Sequence, residues 1–363
     1  MKIAIFVGGL SNGGAERCTC GLANYLSDEG HQITIVTMSD DAPSYYLSQN
    51  VNRLILLNQS ERRSFLMNTF RRLWRMVCFV RQQKQDCLIS MGSDLGGILF
   101  PVFKFISNTP VIVSERSNPK YILRGIKGFI VKRLAHFIDC HICLTPEIIE
   151  WYKPYVNGKK LELIPNAVES CEKAGDNMAE RNKNIVSVGR LDAGKNYPMQ
   201  INAFAQICNN YPDYRLIIYG VGPEENNLKQ LISELNLADR VELAGFCKDI
   251  QNEIAKARLF LFTSNYEGMP NALIEAMAAG LPCISVDCDG GAARFLIKDG
   301  ENGILINKND TEALVVQIQR LLNDDVLSQE LADKAKKIID RLSPQRVYPM
   351  WESVIKELAN AKA

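Results

Sequence analysis

At 363 residues the chain is longer than one hydrophobic core usually organises, so two domains are expected. Its 47% hydrophobic and 23% charged residues are ordinary for a soluble globular protein, and no apolar run approaches the roughly 20 residues that span a bilayer. The net charge of +1 gives no support to a nucleic-acid module, yet it hides an asymmetry: residues 1–168 carry 20 basic against 13 acidic side chains, the remainder 22 against 28.

The first apolar run, "KIAIFVG", breaks at glycines rather than at a small-residue cleavage site, so it reads as a strand and not as a signal peptide. After it "GGLSNGGAER" places Gly8, Gly9, Gly13 and Gly14 ahead of a helix starting near Ala15. Such a loop lets backbone N–H groups approach an anion, helped by the positive end of the helix, although a plain tight turn has the same composition. Its spacing departs from the dinucleotide fingerprint.

Further strand-like runs follow: "ITIVTM", "RLILLN", "CLISMG", "PVIVSE", "CHICLT" and "LELIPN", apolar through their length as strands buried on both faces should be. Helical stretches lie between most of them, which predicts a parallel sheet covered on both sides. One such stretch, "RRSFLMNTFRRLWRMVCFVRQQK", sets Leu66, Phe70, Leu73, Val77 and Val80 on one helical face and Arg71, Arg72 and Arg75 on the other. A second, "YILRGIKGFIVKRLAHF", adds Arg124, Lys127, Lys132 and Arg133. Helices of this kind bind an anionic membrane or a lipid diphosphate, or simply pack with a solvated basic face.

A polar segment, "AVESCEKAGDNMAERNK", interrupts the rhythm and is expected to be the linker. The pattern then restarts with "NIVSVG", "YRLIIYG", "VELAG", "RLFLFTS", "PCISVD" and "GILI". The predicted architecture is α/β: two tandem doubly wound domains facing across a cleft, with ligands at the carboxyl ends of their strands. The divisions are 1–168, a linker at 169–183, 184–342, and a last helix at 343–363 that crosses back to the first domain.

Three loops of the second half carry candidate chemistry. "VGRLDAGKN" brackets a turn with Arg190 and Lys195, two cations suited to a diphosphate. "YGVGPEE" repeats glycines, Gly220 and Gly222, after a strand. "TSNYEGMPNALIEAMAAGLP" puts Glu267 in a loop and Glu275 in a helix whose first turn takes Pro270 and whose end takes Gly280 and Pro282. The N–H groups from Asn271 to Leu273 suit an anion; Glu267 has the competing role of helix cap, whereas Glu275, among Ile274, Ala276 and Met277, needs a partner if buried, and ribose hydroxyls would serve.

Taken together, "EGMPNALIE", "GRLDAGK", "GGAER" and "IPNAV" resemble family 4 of the retaining glycosyltransferases, nucleotide-sugar enzymes of the GT-B fold with two Rossmann-like domains, and the similarity runs through essentially the whole chain. The resemblance implies that Arg190 and Lys195 hold the donor diphosphate and that Glu267 touches the transferred sugar. It implies that Glu275 binds the ribose, that Gly13, Gly14 and Gly189 approach the phosphates, and that Gly245, Phe246 and Cys247 border the base. It also implies that the loop of Gly268, Met269, Pro270, Asn271, Ala272 and Leu273 donates backbone N–H groups, from every residue but the proline. Where many members carry a His near the reacting sugar this chain reads "SERSNP", leaving Glu115, Arg116 and Asn118 as acceptor or reaction-centre candidates.

The resulting expectation is a metal-independent retaining hexosyltransferase. It moves a hexose or N-acetylhexosamine from a UDP-sugar to a lipid-linked saccharide in bacterial surface-glycan synthesis. Its other partner is the inner face of the cytoplasmic membrane, which it meets through a basic surface. No cofactor beyond the nucleotide-sugar is expected. The eleven cysteines, an odd count without an export signal, fit reduced thiols in the cytoplasm; "CTC" and "CHIC" are read as helix and strand rather than metal ligands. A sugar-nucleotide epimerase of similar fold and a non-catalytic basic membrane-binding protein are the alternatives.

Overall fold

A computed structural model of the chain describes residues 1–11, 13–61, 63–171 and 178–361. Six residues of the expected linker, 172–177, therefore lie outside the described residues. The chain forms two compact units, one of Met1–Ala167 with Gln345–Ala363 and one of Val168–Pro344.

The first unit is built on seven strands: β1 (Lys2–Val7), β2 (Gln32–Thr37), β3 (Asn52–Ile55), β4 (Cys87–Ser90), β5 (Val111–Ser114), β6 (Cys140–Cys143) and β7 (Lys160–Leu163). They pair in parallel in the order β3-β2-β1-β4-β5-β6-β7. In β1, Ile3, Ile5 and Val7 enter one core and Ala4 and Phe6 another, as a period of two demands when both faces are covered. Leu22 and Leu26 of the helix Gly14–Asp28 and Trp351 and Ile355 of the helix Pro344–Asn360 close the first face. The second is closed by Met76, Phe79, Phe100 and Phe103.

The carboxyl-terminal helix thus packs on the first sheet. Glu352 accepts from His31 Nε2 at 2.9 Å and Lys356 lies 2.7 Å away, and these two partners hold its carboxyl below the usual range.

The second unit carries β8 (Asn184–Val188), β9 (Arg215–Tyr219), β10 (Val241–Gly245), β11 (Leu259–Phe262), β12 (Cys283–Val286) and β13 (Ile304–Ile306), in the parallel order β10-β9-β8-β11-β12-β13. Within the described part of the expected linker, Arg181 is firmly anchored. The Arg181 guanidinium donates to the carbonyls of Ala255 (2.9 Å), Ala257 (3.3 Å), Ala279 (3.2 Å) and Gly280 (2.9 Å). It thereby binds the chain at the carboxyl ends of the helices Ile250–Lys256 and Asn271–Ala278, where carbonyls run out of partners within a helix.

One buried group in the first unit makes stability depend on pH. His141 on β6 donates from Nε2 to the Ala135 carbonyl at 3.1 Å, while Nδ1 has no partner among the described residues, and burial lowers its pKa to about 4. Unfolded chains bind a proton there below about pH 6.5 that the folded chain refuses, so stability is full above that value and falls as pH drops toward 4. The expected loss across the window is about 3 kcal/mol. Urea unfolding at several pH values checks this by difference, because His141→Leu should flatten that part of the profile.

Candidate functional site

Each sheet reverses its strand order once, between β1 and β4 in the first unit and between β8 and β11 in the second, and loops at such reversals are where ligands of open α/β sheets bind. In the second unit these loops are "GRLDAGKN" and "SNYEGMP".

After β8 the chain turns through Gly189 and Arg190 and then drops Leu191, fully buried, into the core. The Leu191 N–H donates to the Val221 carbonyl at 3.0 Å, and the Asp192 carboxylate accepts from the Gly194 N–H at 2.9 Å, capping the short 3-10 turn Ala193–Lys195. Gly220 and Gly222 have a packing reason to be glycine. A Cβ would lie 1.9 Å from the Gly189 carbonyl oxygen at the first and 2.2 Å from that of Leu191 at the second. The "YGVG" loop is thus a backbone bed for the cationic loop. Arg190 is exposed and makes no side-chain hydrogen bond or ion pair among the described residues.

After β11 the second loop is stitched down by its backbone. Asn265 N–H donates to the Gly194 carbonyl (2.8 Å), Glu267 N–H to that of Asp289 (3.1 Å), and Asp289 N–H to that of Asn265 (3.0 Å). The helix Asn271–Ala278 follows, with Pro270 at its N-cap rather than in its first turn, one position earlier than expected. Pro270 has no side chain that could cap the helix. The Glu267 carboxylate meets Lys195 Nζ at 2.5 Å, in a pair only partly open to solvent. Helix residues Leu273, Ile274, Ala276 and Met277 are buried and Glu275 is half-buried; Gly280, at φ 63°, ends the helix in the left-handed conformation. At the end of β10, Gly245 takes φ 69° and its carbonyl accepts from the Gly220 N–H (2.8 Å), which leaves Phe246 exposed and Cys247 half-buried.

In the first unit, Gly13 is the N-cap of the helix Gly14–Asp28 and supplies no side chain to it. Unlike Gly220, Gly8 would bring a Cβ within 4 Å of nothing, so packing alone does not require glycine there. The "SERSNP" loop after β5 separates its three candidates. Glu115, 1% exposed, accepts from Tyr152 Oη (2.9 Å) and Ser117 N–H (3.1 Å). Burial and that carboxylate push the Tyr152 phenol well above its ordinary pKa. Asn118 is buried and caps the turn Pro119–Ile122 through the Lys120 N–H (3.0 Å). Arg116 alone is half-exposed, and its Nη2 donates to Asn166 Oδ1 at 2.8 Å, tying "SER" to "IPNAV".

The basic helices differ from their wheel projections. In the helix Phe65–Gln82, Met76, Phe79 and Val80 pack on the sheet, whereas Leu66 and Phe70 of the expected packing stripe are 78% and 69% exposed, together with Phe65 and Trp74. Arg75 grips both Glu61 oxygens (2.8 and 2.5 Å), which lowers that carboxyl to about 2, and Arg71 donates to the Glu61 carbonyl. Arg72 is half-buried. Among the second group, Arg124 stacks on Tyr121 (4.7 Å), Arg133 lies over Phe129 (5.3 Å) and Lys132 lies over Trp151 and Tyr155 (5.1 Å each), while Lys127 is exposed. Ile126 and Phe129 are also exposed. Among the described residues no helix is long and apolar enough to cross a membrane, and no cluster of three or more His, Cys, Asp or Glu is placed to hold a metal.

Two family models match the chain: "Glycosyltransferase Family 4" over residues 12–170 and "Glycosyl transferases group 1" over residues 172–338. A GalNAc-alpha-(1->4)-GalNAc-alpha-(1->3)-diNAcBac-PP-undecaprenol alpha-1,4-N-acetyl-D-galactosaminyltransferase of Campylobacter jejuni is 28% identical over 99% of this chain and 100% of its own. A lipopolysaccharide core biosynthesis glycosyltransferase of Rhizobium meliloti is 24% identical over 93% and 94%. Among solved structures, HepE of Anabaena in complex with UDP-glucose superposes with a TM-score of 0.83 at 19% identity, covering 98% of this chain and all of the other.

Proposed function

The chain belongs to family 4 of the glycosyltransferases and has the GT-B fold, and from that premise we propose that it moves a hexose or N-acetylhexosamine from a UDP-sugar to a lipid-linked saccharide, with retention of configuration. The observation that carries the reading is the meeting of Lys195 and Glu267, delivered by two different motif loops to the strand-order reversal of one sheet. Lipid-linked acceptors are named for the Campylobacter relatives and UDP-glucose for the HepE complex, which supports the same chemistry here.

In this reading the bond from the anomeric carbon to the β-phosphate oxygen breaks and negative charge grows on the departing diphosphate. Lys195, Arg190 and the N–H groups of Asn271, Ala272 and Leu273 meet that charge, stabilising the transition state more than the ground state. Gly268, Met269 and Gly189 let the backbone approach. Fixed cations take the part a divalent ion plays elsewhere, so the transfer is assigned as metal-independent. Glu267 orients hydroxyls of the transferred sugar, Glu275 receives the ribose hydroxyls, and Gly245, Phe246 and Cys247 border the base. On the first unit we assign Gly13 and Gly14 to the phosphates and Arg116 to the acceptor side; the burial of Glu115 and Asn118 gives them the task of holding the Arg116 loop. The acceptor hydroxyl attacks from the face the diphosphate leaves and passes its proton to the departing β-phosphate oxygen.

The acceptor's lipid puts the reaction at the inner face of a membrane. We assign the contact to the overhanging half of the helix Phe65–Gln82 and to the helix Gly125–Leu134. There exposed Leu66, Phe70, Trp74, Ile126 and Phe129 offer apolar surface and Lys127, Arg124 and Arg133 offer charge to anionic headgroups. Incubating the protein with a panel of nucleotide sugars and an undecaprenyl-diphosphate-linked saccharide in anionic vesicles should yield a glycan one sugar longer. A donor converted in the absence of acceptor would point to an epimerase, and vesicle binding without turnover of any donor would leave only a membrane-binding protein. Phe70→Glu with Trp74→Glu should abolish vesicle sedimentation while preserving transfer to a water-soluble acceptor.

A further inference from the structure

Beneath the cationic loop lies a chain of buried polar groups that the proposed chemistry does not itself use; it is bonded through the Gln200 Nε2, while the Gln200 Oε1 has no partner among the described residues. Gln200, on the helix Tyr197–Ile207, donates from Nε2 to Ser187 Oγ on β8 (3.0 Å) and to Thr263 Oγ1 at the end of β11 (2.8 Å). Thr263 Oγ1, having accepted that bond, shares its own proton between the carbonyls of Lys195 (3.0 Å) and Asn196 (3.1 Å). Ser187, Gln200 and Thr263 are all at most 2% exposed. A buried amide and hydroxyl carry a desolvation penalty unless paired, and apolar residues of like size fill such a core without it.

The bonds are placed where one hydroxyl can set the geometry of two loops. Thr263 is four residues ahead of Glu267 on its own loop, and it grips the other loop at Lys195, whose side chain reaches Glu267. Asn196, the next residue, holds φ 51°, the left-handed conformation that asparagine accepts more readily than other non-glycine residues, and it turns the chain into the following helix. Helix Tyr197–Ile207 opens directly after it, with Tyr197 buried, so Lys195 sits at a pivot whose direction the Thr263 hydroxyl fixes.

We propose that Thr263, held by Gln200, is a positioning residue that aims Lys195 at the diphosphate; the inference rests on the assignment of Lys195 made above. Thr263→Val keeps the shape and removes the hydroxyl, and Gln200→Met does the same for the amide should the first variant fold poorly. Calorimetric binding of UDP, GDP and ADP is measured on the full chain, alongside donor kinetics. Thr263→Val should weaken the best-bound diphosphate by on the order of tenfold and lower kcat by on the order of a hundredfold, the scale set by about 1 Å of misplacement. Thr263→Ser should restore most of both. In a Lys195→Ala background Thr263→Val should change diphosphate affinity no further, a result that general loosening of the domain would not give. Wild-type affinity and rate in both Thr263→Val and Gln200→Met, or an undiminished loss in the Lys195→Ala background, would overturn the proposal. Full activity of Lys195→Ala by itself would instead overturn the assignment of Lys195.

Discussion

Lys195→Ala is expected to lower kcat for transfer by on the order of a thousandfold, the loss seen when a pre-aimed group that stabilises departing charge is removed. No other lysine lies on its loop, and Arg190, exposed and five residues earlier, does not reach Glu267 among the described contacts. Stability should fall as well. Glu267, with only 15% of its side chain exposed, loses its partner, at a cost of about 1–3 kcal/mol, less than for a fully buried pair because some water still reaches the carboxylate. Lys195→Arg should recover only part of the rate, because a planar fork on a different stem does not reproduce a point charge at the end of a four-carbon chain. Steady-state rates with melting curves on the three proteins give the comparison, and unchanged kcat in Lys195→Ala with an intact fold would remove the cation from the mechanism.

Glu275→Ala carries the second large effect, and its signature is in donor affinity. A charged acceptor of ribose hydroxyls contributes roughly 1.5–3 kcal/mol, so nucleoside diphosphate binding should weaken by about 10- to 100-fold. The decisive comparison is between UDP and its 2′,3′-dideoxy analogue. Wild type should prefer the ribose form by that margin and Glu275→Ala should bind the two alike. Preserved discrimination in the variant would assign the ribose to another group. The helix itself should tolerate the change, since Glu275 is only half-buried and alanine favours helix.

Much of the fold was legible because the central strands, buried on two faces, write continuous apolar runs, and the alternation with helices admits little but parallel sheets. The same holds for the loops at the strand-order reversals, where glycine, cations and a helix start leave local marks. Arg181 was not legible: its partners are carbonyls of two distant helix ends, and no periodicity announces such a bond. The Thr263–Gln200 pair escaped for the same reason, each residue being an ordinary polar one on its own element. In the helix Phe65–Gln82 the apolar stripe was visible, but a projection down the axis cannot tell which turns overhang the sheet. Nor could it reveal that Glu61, from the preceding turn, claims Arg75.

The most direct test is a crystal structure of the protein with a non-hydrolysable UDP-sugar bound. The account predicts diphosphate oxygens within hydrogen-bonding reach of Lys195 Nζ, the Arg190 guanidinium and backbone N–H groups at the start of the helix Asn271–Ala278, with Glu267 released to the sugar. A diphosphate seated elsewhere, with the Lys195–Glu267 pair intact, would contradict it.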